Sequence, residues 1–253
     1  MRRRDFLKFT AATGLLGVYP AISIAGDAKD NFILHNNLRD TTRTIIDEIF
    51  KTNEYYSKSK GTDFFETFKK SQQPRTTVIG CCDSRFQTIS LDNTPENDMF
   101  VIRNIGNQFT SNEGSVEYGI HHLHTPLLLI VGHSRCGAIK AALSDYSDES
   151  SAIRREIDTL CLSVKKSKLY GSEEQKWLLA VIQNVKMQAE YAYRRFEDDV
   201  ISGKLTILGV VFDLANDFKE GYGKLKIVSL NGDGDPERFM DNNLIRAITI
   251  TRK

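Results

Sequence analysis

Five apolar runs, separated by stretches of helical character, constrain this chain more than any other feature. They are TTVIGC (76–81), DMFVIRN (98–104), PLLLIVGH (126–133), LTILGVVFDL (205–214) and LKIVSL (225–230). The first, third and fourth are nearly continuous and rich in β-branched residues, as strands covered on both faces should be. SVEYGIHHLH (115–124) precedes the third run and GAIKAALSD (137–145) follows it. Two longer segments, 150–167 and 173–199, place apolar residues at helical spacing among many charges. Strands alternating with helices predict an α/β fold, a mainly parallel β-sheet flanked by helices. Ahead of the first run, LRDTTRTIIDEIF and TDFFETFKK read as two helices within 36–70, an N-terminal helical arm, with 26–35 as a loose lead-in. No internal repeat, low-complexity tract or Pro/Ser-rich linker interrupts the chain. Residues 26–253 therefore read as one domain, long enough to bury a substantial core.

The bulk charge narrows the partners. The formal net charge is +1, with no basic block beyond the first few residues, which argues against a nucleic-acid partner. The first residues stand apart: Arg3-Arg4-Asp5-Phe6-Leu7-Lys8 resembles the twin-arginine motif of export signals. The apolar stretch after it is broken by Gly14, Gly17 and Pro20, and falls short of the roughly 20 residues a membrane span needs. Ser23-Ile24-Ala25 supplies small residues for cleavage. Residues 1–25 thus read as a signal peptide removed after Ala25, leaving no stable membrane span and a periplasmic or otherwise exported protein. The alternative is a basic amphipathic or uncleaved anchor.

Four cysteines, Cys81, Cys82, Cys136 and Cys161, are too few and too irregularly placed for a disulfide scaffold. Three chemistry-bearing residues instead fall at strand ends. Cys81 closes the first apolar run, His133 closes the third, and Cys136 stands where a helix opens at Gly137. In an open α/β sheet the ligand crevice lies beside such carboxyl ends. A helix N-terminus also favours a thiolate. Two thiolates and one imidazole form a three-ligand zinc set with its fourth position open, the pattern of a catalytic metal. On spacing alone, core residues remain an alternative.

The residues around these positions resemble a known family. CCDSR (81–85) is similar to the Cys-x-Asp-Ser-Arg motif, and HSRC (133–136) to the His-x-x-Cys motif, of the β-class carbonic anhydrases, with about fifty residues between the two. The likeness continues through RNIGN (103–107), residues 115–143 and LGVVFDLA (208–215), covering most of the chain from about 40 to 230. The resemblance implies a β-carbonic anhydrase fold with an N-terminal helical arm, and one Zn²⁺ per subunit on Cys81, His133 and Cys136. It also implies reversible hydration of carbon dioxide to bicarbonate and a proton by zinc-bound hydroxide. Asp83 and Arg85 become the pair beside the metal, with Asp83 accepting a hydrogen bond from the reacting water and Arg85 keeping it ionised. Cys82 fills the motif's variable position and is expected to be a small packed residue rather than a ligand.

Within the family, several residues match the open, plant-like branch. Gln72 stands nine residues before Cys81, in the place of a substrate-orienting glutamine; Phe100, Ile105 and Tyr118 match pocket residues, and the Gly137 N–H adds a donor. Val78 replaces the tryptophan of the branch regulated by a second bicarbonate site, and the only tryptophan, Trp177, is far away in sequence. No such regulation is expected. Part of the pocket in this family comes from a neighbouring subunit, which implies a homodimer or homotetramer. The rival functions are a hydrolase of carbonyl sulfide or carbon disulfide on the same scaffold, and a non-catalytic zinc-stabilised export or binding protein.

Three other features read as structural. His121, His122 and His124 lack an accompanying acid or cysteine and are expected at a surface or interface. NGDGDPE (231–237) begins like a calcium loop but has Pro236 where glycine is required, so a solvent-facing turn is expected. Cys161 is expected to be a buried helix residue.

Overall fold

The structure is a computed structural model that describes residues 28–250, with the segment 1–25 lying outside them. Where the sequence reads as one domain, the described chain forms two compact units that meet between Gln72 and Gln73 in sequence. The N-terminal unit is built on α1 (Ala28–Glu66). Residues expected to form a loose lead-in are helical from Ala28 onward. Gly61 breaks the helix with φ 72° and ψ 173°, between the two expected helices. Glycine adopts this left-handed backbone without the Cβ clash other residues incur. Beyond the break, Phe64 packs edge-to-face on Phe68 at 4.8 Å, and the Lys60 ammonium lies 4.4 Å from the Phe64 ring centre.

The larger unit follows the predicted order closely. Its elements are β1 (Thr76–Cys81), β2 (Met99–Asn104), α2 (Glu113–Glu117) and β3 (Leu127–His133), with a π-helical turn, Tyr118–His122, between α2 and β3. Then come α3 (Gly137–Ala142), α4 (Ser151–Lys166), α5 (Glu173–Arg195), α6 (Glu197–Ile201), β4 (Thr206–Asp213) and β5 (Lys224–Leu230). Two short C-terminal helices, α7 (Pro236–Met240) and α8 (Asn243–Ile250), complete it. The sheet order is β2-β1-β3-β4-β5. β1 to β4 are parallel, and only β5 runs antiparallel, along β4.

Every residue of β1 is buried, as a strand paired on both sides and covered on both faces requires. Its side chains alternate between two cores. Ile79 and Cys81 join Ile130, Val181 and Val185 on one face, whereas Val78 joins Phe86, Leu129, Val131 and Phe212 on the other. α5 begins with a capping box in which Ser172 and Gln175 satisfy each other's backbone N–H groups. It lies so close to β3 that a Cβ on Gly132 would stand 2.4 Å from Val185. The chain turns in opposite directions from β1, to β2 on one side and β3 on the other. The switch point between β1 and β3 thus has Cys81 and His133 at its carboxyl edge.

Candidate metal centre

Cys81, His133 and Cys136 converge at this edge, with their ligand atoms all within 4.8 Å of one another and all three residues buried. The Cys81 and Cys136 sulfurs are 4.0 Å apart. That is too far for a disulfide and near the roughly 3.8 Å separating two sulfurs on one tetrahedral zinc. His133 Nδ1 lies 3.0 Å from the Ser134 carbonyl oxygen, which fixes a proton on that nitrogen. Its Nε2 is buried and has no hydrogen-bond partner. An orphaned imidazole nitrogen facing two sulfurs is what a bound cation would satisfy.

The charges point the same way. Donation from the Cys136 thiol, helped by His133 and opposed by burial, holds Cys81 down to about 4. The Cys81 sulfur and burial push Cys136 well above its usual range, although the Ile139 and Ala138 N–H groups at the start of α3 act in the opposite sense. The two thiols thus pull in opposite directions, one down and one up, and a dication between them would favour the thiolate form of both. The residues fit a Zn²⁺ ion.

Asp83 and Arg85 sit at the rim. Arg85 Nε donates to Asp83 Oδ1 at 2.8 Å, Nη2 donates to Oδ2 at 2.6 Å, and the Arg85 backbone N–H also reaches Oδ1 at 3.0 Å. Burial alone would raise the Asp83 carboxyl, but these bonds hold it at about 2. Its Oδ2 lies 3.7 Å from His133 Nε2, so the carboxylate borders the metal cluster.

The remaining predicted residues separate into groups. Ile105 directly follows β2, whose last residue pairs with Cys81, and it is partly exposed on the metal side. Gly137 opens α3 beside Cys136, and a Cβ there would meet nothing within 4 Å. Phe100 instead pairs with Thr77, about 13 Å back along the strands from Cys81. Its ring lies 5.8 Å from that of Tyr118, which is 44% exposed. The structure thus brings Phe100 and Tyr118 together, but away from the metal cluster of the same chain. Gln72 is exposed at the end of the N-terminal unit.

Several readings need correction. Cys82 stays out of the ligand set but is exposed rather than packed, because β1 has ended at Cys81 and the chain leaves the sheet there. Cys161 is only partly buried, with the Tyr146 hydroxyl 3.0 Å from its sulfur. Trp177, remote in sequence, is adjacent in space: its Nε1–H donates to the Cys136 carbonyl at 2.8 Å. His121 and His122 are exposed as expected, but the acid not expected beside them is present: His121 lies 2.8 Å from Asp199, brought in from α6, while His122 stacks on Tyr118 at 4.5 Å. NGDGDPE forms a turn whose Asp235 caps α7.

Sequence reasoning missed the supports. Arg103 on β2 donates to the carbonyls of Cys81, Asp83 and Phe86 at 2.8–2.9 Å, and so clamps the loop that carries the Asp83–Arg85 pair. Its place in RNIGN was the available signal. Asp213, at the end of β4, accepts from the backbone of Ala215, Asp217 and Phe218.

A buried cluster of two cysteines and one histidine at the switch point of a parallel sheet, with an arginine-held carboxylate at its rim, defines an α/β protein with a mononuclear metal centre. The family model described as carbonic anhydrase matches residues 76–219. This chain belongs to the β-class carbonic anhydrase family. The carbonic anhydrase of Mycolicibacterium smegmatis is 27% identical over 180 residues, which span 69% of this chain and 84% of that protein. The Synechococcus elongatus carbonic anhydrase is 30% identical over 184 residues, 65% of each chain. Among solved structures, a tetrameric β-carbonic anhydrase from Sordaria macrospora superposes with a TM-score of 0.62 over 75% of this chain and 98% of its own; at 22% identity this likeness concerns the fold alone.

Proposed function

We propose that this protein catalyses the zinc-dependent reversible hydration of carbon dioxide to bicarbonate and a proton. The observation that carries it is the juxtaposition of the buried Cys81–His133–Cys136 cluster with the Asp83–Arg85 pair. Zinc held there supplies Lewis acidity that makes water a nucleophile near neutral pH. Asp83, ionised through its bonds to Arg85, keeps a lone pair on Oδ2 with which to orient that water. The relatives are carbonic anhydrases, which ranks carbon dioxide above carbonyl sulfide or carbon disulfide as substrate.

The active unit is a homodimer or homotetramer, in which Phe100 and Tyr118 of one subunit line the pocket of its neighbour. This reading is supported by the distance of Phe100 from its own Cys81 and by the partial exposure of the Tyr118 ring. Together with Ile105 and Gly137, these residues give the pocket of the open, plant-like branch. The twin-arginine motif at Arg3-Arg4 supports export after folding, to the periplasm or beyond, with cleavage after Ala25. No helix among the described residues is long and apolar enough to cross a membrane.

Stopped-flow hydration of carbon dioxide, with metal analysis of the same sample, tests the function. The wild type should carry one zinc per subunit and turn over, and Cys136→Ser should lose both. Zinc-loaded protein with no rate above buffer would overturn the assignment.

A further inference from the structure

The HSRC turn contains an unusual backbone. Arg135, between His133 and Cys136, has a φ of +60°, a left-handed conformation that an L residue other than glycine adopts only when its surroundings hold it there. Its side chain explains the holding. Arg135 Nε donates to Asp217 Oδ2 at 3.1 Å and Nη2 to Oδ1 at 2.9 Å, and the guanidinium lies 5.6 Å from the Trp177 ring centre. Asp217 is anchored in turn, its N–H donating to Asp213 Oδ1 at 2.9 Å. The left-handed turn has one visible product: the Arg135 carbonyl accepts from Arg85 Nη2 at 3.0 Å. That same Nη2 donates to Asp83 Oδ2 at 2.6 Å.

We propose that Arg135 and Asp217 are positioning residues for the Asp83–Arg85 pair: their side-chain fork holds residue 135 left-handed, and this aims its carbonyl at Arg85. The role rests on the carbonic anhydrase reading for its catalytic consequence. The link runs from the end of β4 to the rim of the metal centre without touching a ligand atom. Arg85 Nη2 carries two protons, one for Asp83 and one for the Arg135 carbonyl, and without the second acceptor only the Asp83 fork fixes the guanidinium. The pair is 30% and 13% exposed, so bulk water competes for it only in part.

Four full-length, zinc-loaded variants test this: Asp217→Ala, Arg135→Ala, Arg135→Gly, and Arg135→Gly combined with Asp217→Ala. Asp217→Ala and Arg135→Ala should each lower kcat by about ten-fold, with KM and zinc content little changed. Arg135→Gly should keep several-fold more activity than Arg135→Ala, because glycine holds the left-handed turn without the fork. In the Arg135→Gly background, Asp217→Ala should cost nothing further. A salt bridge that merely stabilises the fold predicts the reverse: glycine no better than alanine, and losses that follow thermal stability. The crystal structure of Asp217→Ala gives an independent reading, with Arg85 expected to leave the Arg135 carbonyl. Should Asp217→Ala lose zinc, Asp217→Asn takes its place in both measurements. Wild-type kcat in Asp217→Ala, or an unmoved Arg85, would overturn the proposal. An inactive zinc-loaded wild type would instead overturn the carbonic anhydrase reading, leaving the position of Arg85 to decide this one.

Discussion

Asp83 stays outside the ligand set, yet its two oxygens take three bonds from Arg85 while Oδ2 lies 3.7 Å from His133 Nε2. Asp83→Asn keeps the shape but places an NH₂ where an acceptor is needed. It should retain zinc and lose most turnover, on the order of 10²-fold, measured by stopped flow beside metal analysis. Arg103 acts earlier in the chain of causes, since it holds the loop on which Asp83 sits. Arg103→Met strips three backbone carbonyls of a charged donor and should destabilise the protein by about 2–3 kcal/mol in denaturant titration. The metal ligands and the Asp83–Arg85 pair beside them were legible in the sequence because thiol, imidazole, carboxylate and guanidinium announce their chemistry by residue type. The supports were not. Arg103, Arg135 and Trp177 all act through backbone carbonyls, which every residue carries and no sequence letter marks.

At the scale of elements, the five strands were readable to within a residue or two because each is a short, largely apolar run between polar turns. The antiparallel direction of β5 was not, because pairing direction depends on the length and path of a connection rather than on a strand's own residues. α7 and α8 were missed for a different reason. They are short, and their burial rests on a small cluster of Leu230, Phe239 and Ile245 that sequence spacing does not single out. The close seating of α5 on β3 is more demanding than either. Gly132→Ala would drive a methyl group to 2.4 Å from Val185, so the strand or the helix must shift. It should cost about 1–3 kcal/mol by thermal or chemical unfolding and also displace the neighbouring His133.

For the whole molecule, the reading that two subunits share a pocket predicts complementation between defective chains. Cys136→Ser removes the metal but leaves Phe100 and Tyr118 intact, whereas Phe100→Ala with Tyr118→Ala does the opposite. Dissociated and reassociated together, they should recover about a quarter of wild-type activity, because half the random dimers then hold one complete site. No recovery from confirmed mixed dimers would refute sharing. Stability to acid is a second property of the whole. Burial pushes the Asp213 carboxyl upward, but the Phe218 and Asp217 N–H groups, Ser134 and Ala215 outweigh it and leave it below the ordinary value. A depressed folded value contributes stability that is present above the unfolded value of about 3.9 and is lost as pH falls through the folded one. Asp213→Asn should therefore cost about 1–3 kcal/mol near neutrality and flatten the fall in stability below about pH 4, as followed by unfolding across pH.

The indole of Trp177 gives the molecule a built-in optical gauge. It is the only tryptophan in the chain, it is tied to the carbonyl of a metal-ligating cysteine, and the Lys140 ammonium lies 4.6 Å from its ring centre. Tryptophan emission from the unlabelled protein thus arises beside the corner where an ion would be captured. Its colour and intensity would let the filling and emptying of that corner be timed in solution, without a dye and without waiting for a turnover.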